Sequence, residues 1–271
     1  MLQYAFMQDA LFVSICIAIL CPCIGVFLVL RRYSMIGDTL SHASLAGITI
    51  GLACGGSPVI GAFLFTSICG ALIEFLRTYF KKYTDLILTI VLSLSVGVAI
   101  TIISSGKLHT NADAFLFGSI LTVDQFDKLT VLFLTILSIL AVIFLYHEML
   151  YIAYDEEAAQ VAGVRVKVIN YVFSILVASA ISVSIRVVGV LVLSSMIALP
   201  VATALQLKKG FRATLLFSIL FSMVDILLGL FLSYQLNVAP GGFTALVSVA
   251  VLIVVMVLRK IAAQVRQNIT A

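Results

Sequence analysis

Charged residues are scarce in this sequence: only 10% of its 271 residues are Asp, Glu, Lys or Arg. A soluble globular domain carries about a quarter charged residues. Hydrophobic residues make up 63% of the chain, and the mean hydropathy is +1.25. No soluble fold can hide this much apolar surface, so the solvent of this chain is a lipid bilayer.

The sequence also lacks the motifs of membrane-embedded hydrolases. Neither a His-Glu-x-x-His nor a Gly-x-Ser-x-Gly pattern occurs, and the chain has only three histidines. Nothing in its composition points to a nucleic-acid partner, because the net charge of +4 is spread over short loops. An intramembrane protease or esterase is therefore disfavoured.

Cysteine is present without a disulfide framework. The five cysteines lie in or beside predicted spans, and no outer loop holds a pair. We interpret them as small apolar packing residues: Cys16, Cys21, Cys23, Cys54 and Cys69. The triplet Cys21-Pro22-Cys23 has a second interpretation, as soft metal ligands inside a span, against a Pro-kinked helix lined by small side chains.

Apolar runs of about 20 residues recur along the chain, whereas a membrane β-barrel would show short alternating segments. We predict an all-α, polytopic transmembrane helical bundle that forms a single domain over residues 1–271. Nine spans are predicted, or eight because the second is short. They are residues 10–30, 38–54, 58–76, 86–103, 129–146, 168–185, 188–205, 213–233 and 243–258.

The basic residues predict the orientation of these spans. With the amino terminus outside, thirteen of the sixteen Lys and Arg residues fall on the inner side, as the positive-inside rule requires. They are Arg31, Arg32, Arg77, Lys81, Lys82, Arg165, Lys167, Lys208, Lys209, Arg212, Arg259, Lys260 and Arg266. We therefore expect a cytoplasmic carboxyl terminus and an uncleaved first span.

The stretch from Gly25 to Gly51 carries an acid and an imidazole four residues apart, Asp38 and His42. On a helix this spacing puts both side chains on one face, separated by about 6 Å of rise. Carboxylate oxygen and imidazole nitrogen are common ligands of divalent first-row metals. Asp38 follows Gly37 and has a rival role as a helix N-cap, and His42 has one as a packed histidine.

A second pair of ionisable residues is a weaker candidate for binding a cation. His109 and Asp113 are also four residues apart, in an irregular outer segment, 104–128, whose apolar part (114–123) suits a re-entrant helix. They are candidates to receive a cation, and a solvated loop is the alternative.

Asp225 falls near the middle of the eighth predicted span. A carboxylate inside a bilayer is costly and is by default a functional candidate, here for the path of the metal. The alternative is that it pairs with a donor across the bundle, such as Arg186. Glu74 and Arg77, at i,i+3, are predicted to form a local ion pair.

The longest inner loop, 147–168, predicts a short helix. Asp155 can cap it, Glu156 and the following Glu157 favour its positive end, and Gly163 can close it. Its small side chains, among them Ala158 and Ala159, suit docking in a groove on a partner. A helix lying in the lipid headgroups is the alternative.

Four blocks now occur in a characteristic order: RRYSMIGDTLSHASLAG, YDEEAAQVAGVRV, VVGVLVLSSMIALPVATA and LGLFLSYQLNVAPGG. Each resembles a signature of the membrane permease subunit of bacterial ABC-type metal-ion importers for zinc, manganese or iron, and the resemblance covers nearly the whole chain. It implies a homodimeric permease in the bacterial plasma membrane. It also implies a separate cytoplasmic ATPase that hydrolyses ATP, and an extracytoplasmic metal-binding protein that delivers the ion.

The resemblance also carries roles to particular residues. The family's acid and histidine fall on Asp38 and His42, and its ATPase-docking helix falls on Tyr154–Val166, with Gly163 as its stop. The amino-acid sequence of the first block is more similar to that of zinc importers in this family than to that of manganese importers. No resident cofactor is implied, since the metal is cargo.

Two copies of the chain related by a two-fold axis can bring two Asp38 and two His42 together, enough for a tetrahedral site without thiolates. A self-contained secondary transporter or channel for divalent cations, using Asp38, His42 and Asp225, is the competing function. A relative importing cobalamin or siderophores would share the architecture without needing the Asp-His pair.

Overall fold

The computed structural model of the chain describes residues 5–80, 83–106, 116, 118, 125–236 and 238–270. Within them the fold is helical, as the sequence predicted, and the helices are numbered here in chain order. They are α1 (Ala5–Leu30), α2 (Ser34–Ala53), α3 (Pro58–Tyr79), α4 (Thr84–Ser104), α5 (Gln125–Phe144), α6 (Tyr146–Tyr154), α7 (Glu156–Val161), α8 (Val166–Val188), α9 (Val190–Gln206), α10 (Phe211–Leu236) and α11 (Pro240–Thr270).

Six of the described helices are long and apolar enough to cross a membrane: α1, α3, α4, α8, α10 and α11. The pair α5 and α6, bent by 67° at its junction, can form a seventh span. These lengths and hydropathies do not confirm the predicted eight to nine spans. The helix α9 is apolar but has only 17 residues, and α2 is not among the six.

Most predicted boundaries differ from the observed helices by a few residues, the last helix extends well beyond the predicted span 243–258, and one helix was not predicted at all. The helix α2 begins at Ser34, one turn before the predicted start of the second span at residue 38. The helix α6 was not predicted, because its nine residues mix tyrosines with a histidine and a glutamate and so give no long apolar run.

Burial divides the helices into a centre and a periphery. In their membrane-spanning stretches α1 and α8 are each 78% buried, whereas α4 is 28% and α11 only 17% buried. The exposed side chains of α4 and α11 are apolar, including Ile90, Ile100, Leu246 and Ile253. Apolar side chains on an outer surface are stable where lipid surrounds them.

Contacts between aromatic rings hold three helices, α1, α8 and α10, together at one end of the bundle. The fully buried Phe27 of α1 lies 6.4 Å, between ring centroids, from Phe173 of α8 and 5.4 Å from Phe211 of α10. Such edge-on and tilted pairs are favoured geometries for aromatic rings. They hold the end of α1 against two other helices at the point where the chain turns towards α2.

The helices α2 and α3 approach closely because both carry glycine at their crossing. A Cβ atom added to Gly47 would lie 2.4 Å from the carbonyl oxygen of Gly61, and one added to Gly61 would lie 2.5 Å from the oxygen of Gly47. Small residues at such crossings are the usual means of helix association in bilayers, where hydrophobic attraction between helices is absent. This crossing fixes α2 against α3.

We predict that Gly47→Ala destabilises the protein by about 1–3 kcal/mol, because its methyl group meets backbone that cannot yield without moving a helix. Gly97→Ala on α4 is the matched control, since nothing lies within 4 Å of its added Cβ. That control should be neutral or stabilise the helix by up to about 1 kcal/mol. Thermal unfolding in detergent micelles measures both, and equal melting temperatures for the two variants would contradict the prediction.

Candidate metal site and docking helix

The turn between α1 and α2 sets the position of Asp38. Only Arg31, Arg32 and Tyr33 separate the two helices, and the backbone N–H of Tyr33 donates to the Leu28 carbonyl over 2.8 Å. Tyr33 occupies the N-cap position of α2, without a side-chain cap. Asp38 is therefore the fifth residue of the helix, and the rival interpretation of Asp38 as an N-cap is wrong.

Asp38 and His42 share a face of the first half of α2 that the described part of the chain covers only in part, here called the uncovered face. Both are partly exposed and continue a stripe from Met35, which is 61% exposed. The residues between them are buried against neighbouring helices: Ile36, Gly37, Thr39, Leu40 and Ser41. A carboxylate and an imidazole thus lie on an open helix face, one turn apart.

The described part of the chain holds no group of three His, Cys, Asp or Glu side chains arranged to bind a metal. Among the described residues, Asp38 and His42 therefore supply at most two ligands of a four-ligand site. Cys21 and Cys23 are buried in α1, and the Cys21 thiol lies 3.5 Å from the Ser184 hydroxyl. Packing, rather than metal ligation, describes their surroundings.

The short helix α7 is capped at both ends, as the sequence predicted. The Asp155 carboxylate accepts hydrogen bonds from the backbone N–H groups of Glu157 and Ala158, each over 3.0 Å. At the other end Gly163 has φ +87°, and its N–H and that of Val164 return to the carbonyls of Gln160 and Ala159. This pair of bonds is a Schellman motif, for which glycine is the preferred residue.

The two faces of α7 differ. Ala159 is fully buried and attaches the helix to the bundle. Ala158 is exposed, and so is Val161, at 90%. The exposed face of α7 therefore carries small apolar side chains, and the opposite face is packed against the bundle.

An ion cluster that the sequence did not predict lies where α7 meets the ends of α1 and α3. The expected pair of Glu74 and Arg77 is confirmed at 2.8 Å. In addition, the Glu156 carboxylate lies 3.6 Å from Arg31 and 3.7 Å from Arg77. Burial lowers the pKa of Arg31, and the nearby carboxylate of Glu156 opposes that shift.

Beside this cluster an open cleft of about 310 Å³ separates α7 from the ends of α3 and α8. Charges of both signs line it, so the cleft is not selective for an anion or a cation. Its charged residues are Glu74, Arg77, Glu156, Glu157 and Lys167.

Asp225 lies in α10 and is fully buried. It faces the Ser248 hydroxyl of α11, yet neither carboxylate oxygen has a hydrogen-bond partner of good geometry among the described residues. The predicted pairing with Arg186 stays a prediction, because the Arg186 side chain lies outside the described part of the structure. His109 and Asp113 also lie outside it.

Nearly the whole chain matches a protein-family model. The model, described as the ABC 3 transport family, aligns with residues 3–259. The chain belongs to this family.

Relatives within the ABC 3 transport family support an assignment to metal import. A protein of Treponema pallidum named "Probable metal transport system membrane protein" is 53% identical over 96% of this chain and 98% of its own length. "Manganese import system permease protein ScaB" of Streptococcus parasanguinis is 30% identical over 91% of this chain and 88% of its own. Neither name mentions zinc, so the zinc-like resemblance is not confirmed.

A solved structure agrees with the fold. "PsaBC from Streptococcus pneumoniae in complex with Fab" superposes on this chain with a TM-score of 0.84, over 93% of this chain and 91% of that one, at 27% identity. The chain is therefore a multi-pass helical permease of the ABC 3 transport family.

We predict that Asp155→Ala loosens α7 by about 1 kcal/mol, because two backbone N–H groups lose their acceptor. Hydrogen exchange in lipid nanodiscs should show about fivefold faster exchange at the amides of Glu157 and Ala158. Asp155→Ser, which restores a capping oxygen, is the control and should exchange at nearly the native rate. Equal exchange in the alanine variant and the native protein would contradict the capping role.

Proposed function

We propose that this chain is the membrane-spanning subunit of an ATP-driven importer that moves a divalent transition metal ion into the cytoplasm. The observation that carries the proposal is the pairing of Asp38 with His42 on the uncovered face of α2. Membership of the ABC 3 transport family supports it. The competing function, a self-contained secondary transporter or channel, leaves the exposed, doubly capped helix α7 without a purpose.

The metal passes between two copies of the chain in this proposal. Each copy supplies one carboxylate and one imidazole, and the two-fold axis completes a set of four ligands. The absence of a third ligand within the described residues supports a shared site. Ligation without thiolate suits transport, because a cation held too tightly does not leave.

In this proposal the chain crosses the membrane nine times, with the amino terminus outside and the carboxyl terminus in the cytoplasm. They are the six long apolar helices, the bent α5–α6 pair as one span, and the two helices α2 and α9. Twenty residues make α2 about 30 Å long, the thickness of the hydrocarbon core. Because α2 is mostly covered by other helices, it does not need the hydropathy of a lipid-facing span.

A cytoplasmic ATPase is the proposed partner of α7, and an extracytoplasmic metal-binding protein delivers the ion at the opposite end. The exposed Val161 and Ala158 and the stable caps of α7 suit a helix that seats in a groove on the ATPase. At the far end of α1, Asp9 pairs with Lys128 over 2.6 Å, which ties the starts of α1 and α5 together on the outer side.

The cargo is a divalent first-row metal: zinc, manganese or iron. Asp and His ligands bind all three, and affinity alone does not select among them. The name of the Streptococcus parasanguinis relative assigns manganese to that protein. The only support for zinc as the cargo of this chain is the resemblance of one sequence block to zinc importers. Asp225, His109 and Asp113 stay proposed members of the ion's path.

Asp38→Asn is the central test of the metal site. Asn keeps the size and hydrogen-bonding capacity of the side chain but removes the anionic ligand, so uptake should fall by at least about tenfold. Uptake by cells is measured with radioactive zinc, manganese and iron, one at a time, which also identifies the cargo. Asp85→Asn, an exposed acid in the first turn of α4, is the matched control. Undiminished uptake in the Asp38→Asn variant would disprove the ligand role.

Ala158→Arg tests the docking of the ATPase. A large charged side chain on the exposed face of α7 should prevent the ATPase from co-purifying with the permease, while the permease still inserts and folds. Val238→Arg places the same side chain at an exposed position in the turn between α10 and α11 and should leave co-purification unchanged. Normal recovery of the ATPase with the Ala158→Arg variant would mean that α7 is not its docking site.

A further inference from the structure

A group of four side chains connects α7, the proposed docking helix, to α2, which carries the proposed metal ligands. This group, here called the inner cluster, consists of Arg31, Tyr33, Arg77 and Glu156. Glu156 is the first residue of α7. Tyr33 is the N-cap residue of α2. The two positions are 123 residues apart in the sequence, and two arginines from other helix ends join them.

Arg77 makes the central contacts of the inner cluster. Its guanidinium donates to Glu74 over 2.8 and 3.1 Å and to the hydroxyl of Tyr33, and lies 4.3 Å from the centroid of the Tyr33 ring. The same guanidinium lies 3.7 Å from Glu156. A shift of Glu156 therefore acts on the side chain that holds Tyr33.

Arg31 provides a second connection. Its guanidinium lies 4.9 Å from the centroid of the Tyr33 ring, on a side chain that is only 7% exposed, and 3.6 Å from Glu156. A buried cation is stable only with a counter-charge nearby. Glu156 therefore supplies both arginines with a carboxylate, and the amide of Asn170 on α8 orients it over 3.2 Å.

The distance from Tyr33 to the ligands is short. Asp38 lies five residues and about 7 Å further along α2, and His42 one turn beyond it. A helix moves as a rod over so few turns, so a displacement at its N-cap reaches the ligand pair. Without Glu156 the docking helix would lack its ionic connection to that rod.

We propose that the inner cluster couples the docking of the ATPase on α7 to the geometry of Asp38 and His42, with Glu156 as the positioning residue. This inference rests on the proposed function. Movement of α7 pulls Glu156, the arginines follow it because an uncompensated buried charge is costly, and Tyr33 carries the movement into α2.

Glu156→Gln tests the coupling. It keeps the size of the side chain and removes the charge that links the two arginines, while Arg77 keeps its separate ion pair with Glu74. The complex of this chain with its co-purified ATPase, in proteoliposomes, should still hydrolyse ATP, but the number of metal ions moved for each ATP should fall by about fivefold or more. Glu148→Gln, an acid of α6 outside the inner cluster, is the matched control and should keep the native ratio.

Tyr33→Phe is the second variant, chosen because it keeps the ring and removes only the hydroxyl that Arg77 binds. It should lower the same ratio by a smaller factor. The double variant of Glu156→Gln and Tyr33→Phe should be no worse than Glu156→Gln alone, since both changes break one path.

The outcomes separate this inference from the function beneath it. A native complex that moves no metal would overturn the proposed function, and the inference with it. Native transport together with an unchanged ratio in both variants would overturn the inference alone. So would loss of the ATPase from the Glu156→Gln variant, because Glu156 would then be a docking contact rather than a coupling residue.

Discussion

Burial of a polar helix in an apolar bundle is the constraint on which the rest of this structure depends. The helix α2 carries Asp38, His42 and several hydroxyl groups. Three of its hydroxyls are satisfied within the helix, because Thr39, Ser41 and Thr49 donate to backbone carbonyls over 3.1, 2.7 and 2.8 Å. The buried hydroxyl of Ser44 has no partner among the described residues. Its small residues let α3 approach to backbone contact. The remaining polar groups, Asp38 and His42, lie where neither mechanism applies, on the uncovered face.

This constraint explains why α2 is not among the helices that hydropathy identifies as candidate spans. Hydropathy detects lipid-facing helices such as α4 and α11, and it also detects α1 and α8, which are mostly buried but strongly apolar. A helix that packs mainly against other helices does not have to be apolar on every face. The helix α2 can therefore have twenty residues and still fall below the apolarity expected of a span. The sequence nevertheless predicted α2 as an element, because apolar sequence resumes after Gly37 and ends before Gly55 and Gly56, although the predicted start at residue 38 lies one turn after Ser34.

Sequence patterns predicted the contacts between residues that are close in the sequence, but they did not predict contacts between distant segments. The Asp155 cap, the Gly163 stop and the pair of Glu74 with Arg77 each involve residues within a few positions of one another. The contact of Glu156 with Arg31 and Arg77 spans 125 and 79 positions, and no periodicity records it. The N-cap interpretation of Asp38 failed because helix starts are uncertain by about one turn. Asp38 is the fifth residue of α2, so an error of that size decides its role.

A site shared across a two-fold axis responds to small movements more strongly than a site within one chain. If each copy of α2 moves outward by a given distance, the separation between the two ligand pairs changes by twice that distance. Metal–ligand bonds tolerate changes of only about 0.2 Å. In the proposed shared site, a displacement at Tyr33 much smaller than a helix diameter would therefore be enough to release an ion held by two pairs of ligands. An ionic cluster at the base of α2 suits this purpose, because a buried arginine such as Arg31 stays close to its carboxylate partner rather than lose its counter-charge.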